Sequence, residues 1–305
     1  MKRTLFAIAF AVVMTAVNAQ TIKIAYQKGD TKTYDTESLM TLGIPMQGDM
    51  KASAKYTATF TVTNATSKGY TVEMKFSDVA IEGSNEVVNQ LVNANVLKTL
   101  EKTPAVLELD SKGKIKDVKN SDAVLSSLAE ATMATINSTY ESHPELEKVM
   151  PKSKVILEAN DELTKEKLLS YIKEYSVFTL NGENLKSGVA TDETWHDFIK
   201  VKSTYSVSVD KDSTTINRTA ESNMNEDDLK AFVKKQASKM GGGNVSEMID
   251  SQWSQLKAMG LARVDIDSNA AYVFGQKGWL NHYSDNSTFT MMGAKIKVVS
   301  TMTSK

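Results

Sequence analysis

The sequence predicts an α+β protein, a curved antiparallel β-sheet shaped like half a barrel, with helices packed on one face. Three observations predict it. Several long segments alternate apolar residues with threonine, serine or lysine at a period of two, the mark of antiparallel strands with one buried face. Between them lie segments with apolar residues at helical spacing, suited to cover that face. The chain has 305 residues and no cysteine. Stability therefore comes from an ordinary hydrophobic core, which this length can bury, and disulfides, thiolate nucleophiles and cysteine-bound metals are excluded.

The first segment is read as an address. Lys2 and Arg3 precede an apolar run from Leu5 to Val17, and Val17-Asn18-Ala19 supplies small residues for cleavage, so residues 1–19 read as a secretory signal peptide. The run is shorter than the roughly 20 residues of a spanning helix. Export, to the periplasm or beyond the cell after cleavage near Ala19, is expected, with no stable membrane insertion. Without Lys2 and Arg3, 34 basic residues face 37 acidic ones, a formal charge of −3, so no global field favours nucleic acid. Arg218 and Arg263 are the only arginines left, and phosphate chemistry, which favours bidentate guanidinium clamps, is disfavoured.

In "YTATFTVTNATSKGYTVEMKF", Tyr56, Ala58, Phe60 and Val62, then Tyr70, Val72, Met74 and Phe76, point to one side. This is a hairpin turning over Asn64–Gly69, and the slip of phase between Phe76 and Val79 predicts a bulge that bends it. A helix is expected from Ser84 to about Leu100, stopped before Pro104. "AVLELDSKGKIKDV" reads as two short strands about Gly113. A helix from Ser121 carries Leu125, Leu128, Ile136 and Tyr140 to His143-Pro144, and residues 145–174 read as further helix in pieces.

The second half opens with "YSVFTLNGENLKSG", where Asn181-Gly182 predicts a hairpin. Ile199 to Val209 and a return strand through Ala220 form another, turning at Lys211-Asp212. Asn225 caps a helix with Glu226, Asp227 and Asp228 in its first turn, ended by Gly241-Gly242-Gly243. The next helix has a capping-box spacing at Asn244 and Glu247, with Val245, Met248, Ile249, Gln252, Leu256 and Met259 on one face and a stop at Gly260. From Leu261 the chain is β again, with turns expected near Ser268-Asn269, Gly275–Gly278 and Asp285-Asn286. Residues 20–174 and 175–305 thus form two halves of similar element order, expected to dock as one unit, without a residue-by-residue repeat.

No constellation names a reaction. His143, His196 and His282 are far apart, with no pair at helical metal spacing. "TDETWHDF" gathers Asp192, Glu193, His196 and Asp197, read as an acidic loop entering a strand with Trp195 packed beneath. "DIDSNAAYVFGQ" places Asp265, Asp267 and Asn269 as in a calcium loop, but Ala270 and Gln276 stand where that loop needs glycine and glutamate. Met40, Met46 and Met50 suit soft Cu(I) ligation, yet without histidine or cysteine they read as adaptable core or binding surface. No nucleophile elbow or phosphate loop occurs. Neither a cofactor nor a metal is expected. "DST" at Asp212–Thr214 matches a short O-glycosylation sequon with Ser213 as acceptor.

The "YTATFTVT…GYTVEMKF" hairpin, the "LELDSKGKIKDVKN" strand-turn-strand and the closing "GWLNHY" resemble a secreted family of Bacteroidetes, a domain of unknown function. That resemblance implies export and no established activity. The expected function is noncatalytic binding of an apolar or lipid-like ligand, or of an envelope protein partner, on the hairpin face of Tyr56, Phe60, Tyr70, Met74 and Phe76. The alternatives are a structural or assembly module acting through sheet edges and a hydrolase assembled from distant residues.

Overall fold

The structure, a computed structural model, describes residues 21–44, 48–83, 95–195, 199–240, 245–291 and 293–305. Residues 1–20 with the expected leader, residues 84–94 of the helix expected from Ser84, Met46, His196, Asp197, the Gly241–Gly243 joint and Asn244 lie outside the described residues. Eleven strands form one antiparallel sheet: β1 (Thr31–Ile44), β2 (Gly48–Thr66), β3 (Gly69–Gly83), β4 (Ala105–Asp110), β5 (Ile115–Val118), β6 (Ala190–Trp195), β7 (Ile199–Val209), β8 (Thr214–Ser222), β9 (Val264–Phe274), β10 (Leu280–Met291) and β11 (Ala294–Ser304). Their spatial order is β5-β4-β3-β2-β1-β11-β10-β9-β8-β7-β6. The edges β5 and β6 do not meet, so the sheet is open. Seven helices accompany it among the described residues: α1 (Asn95–Lys102), α2 (Ser121–Ser142), α3 (Leu146–Val149), α4 (Lys152–Glu162), α5 (Lys165–Tyr175), α6 (Glu226–Met240) and α7 (Val245–Ala258). The antiparallel sheet is as expected, but it dominates, and the class is mostly β rather than the α+β expected.

Local chemistry accounts for most of these elements. The β2–β3 hairpin has the expected phase, with Phe60 opposite Met74 and Val62 opposite Val72. Its register shifts between Lys55 and Thr57, where Asp78 takes a φ of 56°; this is the bulge that returns Val79 and Ile81 to the apolar side. Gly113, at φ 77°, turns β4 into β5. Asp228 N–H donates to Asn225 Oδ1 over 2.9 Å, the predicted cap of α6. Gly260 ends α7 at φ 71°, and Leu261 N–H reaches back to Leu256 O over 2.9 Å.

Other expectations are corrected. Residues 176–182 form turns rather than a hairpin: Val177, Phe178 and Leu180 are buried and Asn181 is fully enclosed, a spacing that a pleated strand with one solvated face does not give. Ser268-Asn269 lies mid-β9 and Asp285-Asn286 mid-β10, paired through their backbones. In α2 the buried apolar side chains are Val124, Leu128 and Ile136, while Tyr140 leaves the core face to donate to Met150 O at 2.6 Å. In α7 the buried face is Ile249 and Trp253, with Met248 and Met259 exposed at 52% and 62%; the predicted stripe mixed two sides of the helix. The strand β1, which holds Met40, was not anticipated.

Candidate ligand-binding face

One face of the sheet carries nearly all its large apolar side chains. Register places Leu109, Tyr70, Phe60, Tyr34, Met302, Tyr283, Tyr272, Ile216 and Val207 on this core face. Two hydrophobic clusters cover parts of it. The larger spans β1–β5 and the Tyr272–Phe274 end of β9, closed by Leu100, Val124, Leu128, Leu168, Ile172 and the turn residues Phe178 and Leu180. The smaller joins Ile199, Val201, Val264 and Ile266 to Phe232, Val233, Ile249 and Trp253 of α6 and α7.

The hairpin residues proposed from sequence fall mostly in the larger cluster. Phe60 and Met74 are 2% and 3% exposed. Phe60 packs edge-on against Tyr34 and Phe178, and Tyr56 lies 4.9 Å from the Phe76 ring. Tyr56 and Tyr70 keep some accessible surface. Ser213 sits in the turn between β7 and β8, where its carbonyl accepts from Asp210 N–H at 2.9 Å.

Between the two clusters the core face changes character. Ser203, Arg218, Ser268, Asp285, Ser287, Ser300 and Ser38 all point to it by register. Arg218 Nη2 donates to Ser268 Oγ at 3.4 Å, Ser268 and Ser287 hydroxyls lie 2.8 Å apart, and Ser287 donates to Asp285 Oδ1 at 2.7 Å. Two hydroxyls thus separate the guanidinium from the carboxylate. On its other side the Arg218 guanidinium stacks over the Trp195 ring at 4.9 Å, a cation–π contact. Trp195 Nε1 and Tyr205 O–H both donate to Glu193, at 3.0 and 2.8 Å. Burial, then the neighbouring Glu193 carboxylate, raises the Tyr205 pKa, so the phenol stays protonated and donating. Arg218 makes no ion pair with the described residues, and its buried Nε has no hydrogen-bond partner; neither does the fully buried Ser203 hydroxyl on the next strand.

In the middle of the sheet, Met40 and Leu42 of β1, Met50 of β2, Ile81 of β3 and Ile296 and Val298 of β11 face the same side and are only half-buried. Outward neighbours there are mixed: Thr41, Lys51 and Lys297 are polar, while Leu39 and Val299 pair on the outer face, with Leu39 exposed. Separately, a polar cleft of about 650 Å³ opens at the β6 edge, lined by Asp192, Glu193, Lys200, Asn223 and Asp228. Lys200 is paired with Asp228 and Asn223 with Asp192. Asp265, Asp267 and Asn269 alternate with Ile266 and Ser268 along a β-strand, and do not form the loop a calcium ion needs. His143 contacts Glu145 and His282 contacts Thr303, both on exposed surface.

No protein-family model matches the sequence, and no curated protein matches it. Among solved structures, a chain described under lipid-protein interactions in lipovitellin is similar with a TM-score of 0.46 and 9% identity, over 92% of this chain and 25% of that one. DynF from the dynemicin biosynthesis pathway of Micromonospora chersina is similar with a TM-score of 0.20 and 6% identity, over 99% of this chain and 92% of that one. The chain therefore spans a quarter of the lipovitellin chain. Similarity at these levels carries no argument about function.

Proposed function

We propose that this is an exported, noncatalytic protein that holds an apolar, lipid-like molecule on the core face of its sheet. The observation that carries the reading is the half-buried strip of Met40, Leu42, Met50, Ile81, Ile296 and Val298, apolar on the side where a folded chain otherwise closes its core. Contiguous apolar surface of this kind is the ordinary material of a small-molecule site. The bulge at Lys55/Thr57, next to the Ala54–Ile81 pair, bends the strands beside the strip, since each extra residue curls its strand. The leader-like residues 1–19 support delivery to an envelope compartment.

The test uses a neutral fluorescent probe, N-phenyl-1-naphthylamine, titrated into the purified protein, together with native mass spectrometry of protein isolated from its own cells. Saturable probe binding is expected, weakened about tenfold by Val298→Lys through loss of ~1.4 kcal/mol of apolar contact. Absence of probe binding, or binding indifferent to Val298→Lys and Met40→Lys, overturns the reading.

A further inference from the structure

Arg218 is an unusual residue to find on the core face. A half-buried guanidinium normally meets a carboxylate, because desolvating the charge without compensation is expensive. Here Glu193 and Asp285 flank it, but each is already engaged, by Tyr205 and Trp195 and by Ser287. The guanidinium keeps one long hydrogen bond to Ser268, one aromatic face contact and an unpartnered Nε. The unpartnered Ser203 hydroxyl stands diagonally across the β7–β8 pair, since Tyr205 opposes Arg218 and Ser203 opposes Ala220. Two orphaned donors side by side, one of them cationic, describe a place where an acceptor belongs.

The position leads toward the apolar strip. From Arg218 the same register row runs through Ala270, Asp285, Ser300 and Ser38 to Ala54, all small or short side chains. Tyr272, Tyr283, Met302, Thr36 and Tyr56 form the taller row beside it. Five interstrand steps of about 4.8 Å make a lane of roughly 24 Å, long enough for an extended acyl chain lying across the strands. Its charged end is Arg218, and the row of Ser287, Val298 and Met40 borders it on the side away from the tyrosines.

We infer that Arg218, with Ser203, receives the carboxylate of a long-chain acid whose tail lies along this lane. The inference rests on the apolar-ligand reading above and adds the headgroup. Glu193 and Asp285 in the neighbourhood repel a dianion more than a monoanion, so a singly charged carboxylate is favoured over the doubly charged phosphate of a monoester. A planar carboxylate also matches the Nε edge of the guanidinium, whose N–H groups donate to two oxygens in its plane.

The experiment is competition against the neutral probe by palmitic acid, hexadecanol and hexadecyl phosphate at pH 8. In the wild type the acid is expected to displace the probe at about tenfold lower concentration than the alcohol, and more effectively than the phosphate. Arg218→Gln should erase the preference for acid over alcohol while leaving probe affinity within about twofold; Arg218→Lys, which keeps the charge and loses the fork, should retain part of it. Equal competition by acid and alcohol in the wild type overturns the inference and leaves the apolar site standing, as does a preference that persists in Arg218→Gln. Stronger competition by the phosphate overturns the carboxylate assignment. If the probe itself does not bind, the underlying reading falls and the inference with it. The wild-type comparison decides the matter even where Arg218→Gln fails to fold.

Discussion

Phe60 shows how much of the stability is held by single side chains on the core face. It is 2% exposed and wedged edge-on between the rings of Tyr34 and Phe178, at 5.7 and 5.4 Å. Phe60→Ala removes those contacts and leaves a hole that neighbouring strands cannot close, so a loss of about 3 to 5 kcal/mol is expected in urea unfolding; an unmoved midpoint would mean that this part of the face is loosely filled. Asn181 works by a different principle. Wholly buried, its side-chain amide donates to Tyr26 Oη at 3.2 Å and to Gly113 O at 3.3 Å. Asn181→Ala strips a donor from both, and a cost of about 1 to 3 kcal/mol is expected. Asn181→Asp should be worse at neutral pH, because it puts a carboxylate in a site without a cation. A variant as stable as Asn181→Ala would show that water reaches the new charge.

Elements that depend on distant partners are where the sequence was hardest to read. The alternation of Tyr56–Phe76, the turn at Gly113, the Asn225 cap and the Gly260 stop were legible because each is written within a few residues. Asn181-Gly182 misled because its turn belongs to a plug packed against Tyr26 and Trp279 rather than to a hairpin. Ser268 and Asp285 misled because polar residues at inward positions imitate turns, and only the pairing of β8, β9 and β10 shows that they share a face with Arg218. A period-two count would have found Arg218 in phase with buried Ile216 and Ala220, a signal that went unused. The segment from Thr21 to Asp30 also escaped notice. It is strapped to the β9–β10 turn by Ala25 N–H to Lys277 O at 3.1 Å, Tyr26 O–H to Gly278 O at 3.2 Å and Lys277 Nζ to Asp30 at 2.8 Å. Burial works to raise the Asp30 pKa, but Lys277 and the Gln27 N–H outweigh it and hold the carboxyl below its usual range. A depressed folded pKa means that the strap's ionic contribution is complete above the unfolded carboxylate pKa of about 4 and is lost as pH falls through the folded value. Asp30→Asn should therefore flatten the acid limb of the stability curve and leave its shape at neutral pH unchanged. An identical acid slope in wild type and variant would place the titration elsewhere.

At the scale of the whole sheet, one pairing is out of sequence order. Every neighbour in the sheet is also a neighbour in the chain except β1 and β11, which share ten paired positions from Tyr34–Ser304 to Gly43–Lys295. That pairing stands at the centre, while the edges are short: β5 has four residues and β6 six, against 14 in β1 and 19 in β2. Short edges offer little ladder to an added strand, which weighs against assembly through them. The central pairing has a kinetic consequence. Ser38 and Ser300, whose hydroxyls lie 2.8 Å apart, are separated by 262 residues, and closing so long a loop precedes any reward from the ladder. Joining Lys305 to Thr21 by a flexible linker, and opening the chain in the exposed stretch between Gly188 and Val189, makes the strands run β6 to β11 and then β1 to β5. All eleven would then follow one another in space as in sequence, an uninterrupted meander. The permutant is expected to refold faster than the parent in stopped-flow dilution from urea, with its unfolding rate nearly unchanged. This is the outcome if the β1–β11 ladder forms in the transition state, because shortening its loop lowers the entropy cost there and leaves the native contacts alone. An equal refolding rate would instead put that ladder after the barrier, with the two halves of the sheet folding first and docking late.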